Sequence, residues 1–126
     1  MINPDKQVVY WKEGAQEDWE AANELMENGR IRQALFFVHL SMEKLIKAHV
    51  SRNTRDLPPR THNLVRLADL TGIPFTKDQL EILAEINSFS LEGRYPESFS
   101  PPPTISEAKA YFAKAQEVFT WLMNQL

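Results

Sequence analysis

The sequence predicts an all-α chain: an up-and-down bundle of four to five helices whose long members run antiparallel. Three observations carry that expectation. Apolar residues recur at steps of three and four over three long stretches. Residues that cap or break helices bound those stretches. No run alternates apolar with polar over a strand's length. A chain of 126 residues, 43% hydrophobic and 25% charged, fits a single domain, 1–126, able to bury its own core.

A first helix is expected from Pro4 to Asn28. Asn3 suits the N-cap, and Pro4, which has no N–H to leave unsatisfied, suits the first helical position. Trp11, Ala15, Asp18, Trp19, Ala22, Leu25 and Met26 form one mostly apolar stripe, and the glutamates lie mainly off it. Asn28-Gly29 supplies a stop, because glycine accepts the left-handed cap conformation. So short a turn sends the second helix back antiparallel.

The second helix, Ile31 to about Ser51, organises the rest. Ile31, Leu35, Val38, Met42, Leu45, Ile46 and His49 form one stripe; Phe37, Leu40, Lys44 and Ala48 form another. A helix apolar on more than one face must be covered on more than one side. It is therefore expected at the bundle centre, with a second copy of the chain shielding what its own polypeptide leaves bare. The loop RNTRDLPPRT follows, broken by Pro58-Pro59. His62 to Leu70 resumes a helical pattern and Thr71-Gly72 ends it. Thr76, with Gln79 three residues on, opens a further helix on Leu80, Leu83, Ala84 and Ile86. Leu91 to Pro103 is expected to be an ordered surface loop carrying Tyr95 and Phe99. Thr104 and Glu107 then cap a last helix with Ile105, Ala108, Phe112, Ala115, Phe119, Leu122 and Leu126 on its seam.

Composition excludes several classes. Without cysteine there is neither a disulfide framework nor a thiolate metal site. The four glycines form no GxxxxGK or GxGxxG phosphate loop. The N-terminal stretch has no apolar core like a signal peptide's, and no run approaches the roughly 20 apolar residues that span a bilayer. The expected location is cytoplasmic, with no membrane contact. The net charge of −3 is unevenly spread. The first 29 residues carry seven carboxylates against Lys6 and Lys12, whereas residues 44–66 hold Lys44, Lys47, Arg52, Arg55, Arg60 and Arg66 against Asp56 alone. Such a basic segment attracts a phosphate-bearing ligand, or else offsets a helix dipole and solubilises a loop.

A small set of positions bears chemistry. Glu43 and Lys47 are four apart in the favourable order, forming a structural ion pair or the floor of a polar cleft in which Lys44 and Lys47 face an anion. His62 is a general base or a capping histidine. Arg94 can fork onto a carboxylate or phosphate, and Pro96 restricts Tyr95 beside it. His39 shares a face with Glu43, but two ligands do not close a metal site, so no metal is expected.

Three pieces now stand in order. The first is Ala34 through Ala48, ending Glu43-Lys44-Leu45-Ile46-Lys47-Ala48. The second is Thr61-His62-Asn63-Leu64 with Leu67. The third is Gly93-Arg94-Tyr95-Pro96, followed by a capped helix with Glu107-Ala108, Ala115 and Trp121-Leu122. This ordered set resembles the HEPN domain family, over nearly the whole chain. The resemblance implies a four- or five-helix bundle, usually a homodimer, often encoded beside or fused to a minimal nucleotidyltransferase in toxin–antitoxin pairs. One branch of the family cleaves RNA without metal through an R-x(4–6)-H motif; another lacks the motif and binds nucleotides or serves as an accessory subunit. After Arg94 the next six residues are Tyr95 to Ser100, with no histidine. Arg55 and His62 satisfy the spacing, but at the family's T-H-x-L position. The resemblance therefore implies a dimeric module, non-catalytic alone, acting with a nucleotidyltransferase partner. Its ligand would be a nucleotide or other phosphate held by Lys44, Lys47, Arg94 and Tyr95 beside Glu43 and His62, with no other cofactor. The alternative is a toxin-type endoribonuclease using Arg55, His62 or Arg94, with RNA as its substrate.

Overall fold

The computed structural model describes residues 2–94 and 103–126, with only the backbone course for 91–94. Its helices are α1 (Pro4–Glu27), α2 (Ile31–Thr54), α3 (Leu64–Asp69), α4 (Lys77–Arg94) and α5 (Ile105–Met123), and there is no strand among the described residues. The caps set these boundaries. Asn3 accepts from the Lys6 amide at the start of α1. Gly29 takes φ +74° after its end, with open space where a Cβ would stand. Thr76 and Gln79 bond each other's backbone N–H ahead of α4, and Thr104 and Glu107 do the same at α5.

Three boundaries differ from expectation. α2 runs one turn further, to Thr54, and stops where Arg55 takes φ +59° as its C-cap. α3 starts at Leu64 rather than His62, because Asn63 caps it by accepting from Val65 and Arg66. α4 continues through Leu91, Glu92, Gly93 and Arg94, so the expected break begins later. The proline constraint explains this last difference: it falls on the residue just before Pro96, which leaves Arg94 free to be helical. Tyr95, Pro96 and Phe99, expected in an ordered loop, lie outside the described residues.

α2 packs against all four other helices. α1 lies antiparallel along one side, joined by the Asn28–Arg30 turn. Gly14 lets the two axes approach, since a Cβ there would stand 3.1 Å from Lys44 Cδ. On the other side α4 and α5 run antiparallel, with Phe89 against Tyr111 at one end and Phe75 against Trp121 at the other. Trp19 of α1 stacks on Phe119 and tilts over Phe112 of α5, linking the two sides. From Ser41 to Ser51 every residue of α2 except Lys44 is buried. The cover expected from a second copy is thus supplied by the chain itself over this half, because α1 shields the face that α3, α4 and α5 leave open. Only the first half keeps partly exposed apolar side chains, Ile31, Phe36, Phe37 and Leu40.

The ends of α2 and α5 are clamped together. His49 donates Nε2–H to the Leu122 carbonyl at 2.9 Å, and Arg52 donates to the Gln125 carbonyl. Burial pushes the His49 imidazole below its ordinary 6.5, against the pull of the Leu122 bond and with the Arg52 charge adding to the lowering. The unfolded chain then takes up this proton first. Stability from His49 is fully present above about pH 6.5 and is lost as pH falls toward the folded value. Urea midpoints are expected to fall between about pH 7 and pH 5, and His49→Gln, which keeps a donor for Leu122, is expected to flatten that slope. Thr104→Ala removes the cap of α5 and is expected to lower the urea-unfolding free energy by about 1 kcal/mol.

Candidate functional site

Glu43 sits midway along α2, on the face turned toward the start of α3, with its side chain only 8% exposed. A carboxylate so withdrawn from water needs hydrogen-bonded partners. It has them on both oxygens. Lys47 Nζ, one turn on and equally buried, donates to Oε2 at 3.0 Å. His62 Nδ1 lies 2.9 Å from Oε1, and His39 Nδ1 lies 3.8 Å from the same oxygen. The second ring nitrogen of His39 bonds the His62 backbone carbonyl at 2.9 Å. Two residues of α2 therefore hold His62 by side chain and main chain together. Beyond Lys47, the Trp11 ring of α1 faces its ammonium at 5.2 Å from the centroid.

This geometry fixes protons. An ionised carboxylate only accepts, so His62 Nδ1 carries hydrogen toward Glu43, and Nε2 of the neutral ring is left as an acceptor. The His62 side chain is 57% exposed. The cluster thus presents an oriented imidazole at the edge of a buried ion pair. Among the described residues no group of three His, Cys, Asp or Glu side chains is arranged to hold a metal ion.

The structure separates the residues that the sequence offered as one site. Glu43, Lys47 and His62 come together. Lys44 points the other way, across Gly14, to Asp18 of α1 at 2.8 Å. Both candidate anion-binding lysines are therefore already matched by carboxylates. Arg55 donates to Asp5 at the first turn of α1, 3.0 Å away, so the Arg55–His62 spacing does not produce a joint site within the chain: the two side chains serve different carboxylates. Arg94 is in the last turn of α4, its side chain undescribed, and Tyr95 lies outside the described residues.

Sequence reasoning missed Asp18, Asp5 and the part played by His39. The first two were readable: folding α1 back along α2 about the Asn28–Arg30 turn sets Asp18 near Lys44 and Asp5 near Arg55. His39 carried no such sign, since its partner is a loop carbonyl 23 positions away. A pocket of about 340 Å³ opens elsewhere, at the ends of α2, α3 and α5, lined by His49, Arg52, Asn53, Thr71, Ile73 and Gln125. Its polar side chains mostly serve as helix-end caps: Asn53 bonds the Leu70 carbonyl, and His49 and Arg52 bond α5.

Removing one partner from a buried ion pair strands the other charge. Glu43→Ala is expected to lower the unfolding free energy by about 3–5 kcal/mol in urea titration. Glu43→Leu combined with Lys47→Met is expected to recover most of that loss, since the pair is then replaced by apolar groups of similar size.

Comparison with known proteins agrees with this architecture. The HEPN domain family model matches residues 8–126. The crystal structure of TT1696 from Thermus thermophilus superposes with a TM-score of 0.79 at 20% identity, covering 99% of this chain and 100% of that one. ST0689, an archaeal HEPN homologue, superposes with a TM-score of 0.73 at 23% identity, covering 94% of this chain and 96% of that one. At such identities these two likenesses speak for the fold. No curated protein matches the chain. With a family match that spans helices α1 to α5 and a bundle of the same form, the chain belongs to the HEPN domain family.

Proposed function

We propose that the chain is a homodimeric HEPN module, cytoplasmic and non-catalytic on its own, that acts with a nucleotidyltransferase-domain partner in a toxin–antitoxin setting. One observation carries this reading: the charges expected to form an active cleft are closed on carboxylates inside the chain. Lys44 is on Asp18, Lys47 on Glu43 and Arg55 on Asp5. A protein whose cations are matched internally works through its surfaces. A nucleotide or other phosphate ligand would then meet the exposed Arg60 and Arg66, together with Arg94, rather than the two lysines. No helix among the described residues is long and apolar enough to cross a membrane.

Support for self-association comes from apolar side chains left in water. Val9 is 52% and Tyr10 65% exposed, and Ile2 and Leu57 are also exposed. The Asp5–Arg55 pair draws the Leu57 loop to the same end of α1. Clustered exposure of this kind marks interaction surfaces. Light scattering on a sizing column is expected to give a dimer at micromolar concentration, and Val9→Asp with Tyr10→Asp is expected to shift it to monomer. A wild-type monomer would remove the dimeric part of the reading. Total RNA incubated with the purified protein is expected to stay intact. Cleavage that is lost in Arg94→Ala or His62→Ala would instead establish the ribonuclease alternative.

A further inference from the structure

The chain's three histidines are His39, His49 and His62, and they differ in a way that bears on chemistry. His39 and His49 are buried, and each commits Nε2 to a backbone carbonyl. His62 commits Nδ1 to a buried carboxylate and is open to solvent. We propose that His62 is a phosphoryl-accepting residue, its Nε2 taking a phosphoryl group from a donor of the phosphoramidate class.

Five features argue for it. The Nδ1–H···Glu43 bond leaves the lone pair on Nε2, the nitrogen that must attack. Attack places positive charge on the ring, and Glu43 stands 2.9 Å from the nitrogen where that charge is shared. Lys47 balances Glu43, so the carboxylate does not repel an incoming dianion with a full uncompensated charge. The ring is already oriented, because His39 holds the His62 carbonyl while Glu43 holds the side chain. Exposed Arg60 and Arg66 flank the position in sequence and favour an anionic donor.

The step balances without a further reactant. The Nε2 lone pair forms the new N–P bond, the donor's P–N bond breaks, and its nitrogen departs as a neutral amine that was protonated beforehand. The Nδ1 proton stays on the ring facing Glu43, giving a phosphoimidazolium paired with a carboxylate. Neither the dimer nor the nucleotidyltransferase partner is needed for this.

The test is incubation of the folded protein with inorganic phosphoramidate, followed by phosphorus NMR and peptide mapping at neutral pH. A synthetic peptide of residues 58–66 serves as reference, since it keeps Arg60 and Arg66 but lacks Glu43. His62 in the folded chain is expected to be phosphorylated on the order of tenfold faster than in the peptide, the equivalent of one hydrogen bond to a charged group. His39 and His49 are expected to stay unmodified, and Glu43→Gln to return His62 to the peptide rate. A folded chain that reacts no faster than the peptide overturns the proposal without recourse to any variant. So does an undiminished rate in a Glu43→Gln protein whose circular dichroism is that of the wild type.

Discussion

Between Ser41 and Ser51 α2 is enclosed all round except at Lys44, and most of this structure answers that one constraint. An enclosed helix must offer its neighbours either apolar atoms or polar atoms already matched. Leu45, Ile46 and Val50 meet the first demand. Glu43, Lys47 and His49 are polar in the same span, and each meets the second through a specific bond to α2 itself, to the loop before α3 or to α5. These polar anchors locate the shorter elements, because apolar contact alone would let them slide.

Charge matching follows the hairpin. α1 is acidic and α2 with its loop is basic, and the antiparallel return sets one along the other. Asp18 with Lys44 and Asp5 with Arg55 are the resulting contacts. The exposed pair at Arg55 stabilises little, whereas Lys44 is packed over Gly14 and reaches a largely buried carboxylate. The uneven charge that resembles a ligand-attracting field in the linear sequence is, in three dimensions, partly an internal complement: α1 meets Lys44 and Arg55, while Arg60 and Arg66 stay exposed.

Most of the fold was legible in the sequence because its signals are local. Caps at Asn3, Thr76 and Thr104, the stop at Gly29 and the three-four spacing of α5 all act within a turn of the residues that show them. What was not legible depends on distance along the chain. Whether α2 needs a second copy turns on how completely α1, α4 and α5 wrap it, and spacing within α2 is silent about that. The site shows the same division. The Glu43–Lys47 pair was readable from its four-residue step. Its link to His62 spans 19 positions and required the loop's path. The Arg55–His62 spacing matched a pattern yet joins nothing within the chain, because each side chain found a nearer carboxylate.

The bond between His49 and Leu122 spans 73 positions, whereas the α1–α2 hairpin closes through a turn of three residues. During synthesis the hairpin is therefore complete while the opposite flank of α2, the one destined for α5, still faces solvent. That flank is fully covered only once α5 has been made and has folded back. The nascent chain thus passes through an interval in which an apolar flank is half clad, and slow translation of the segment that joins α2 to α5 would lengthen the exposure.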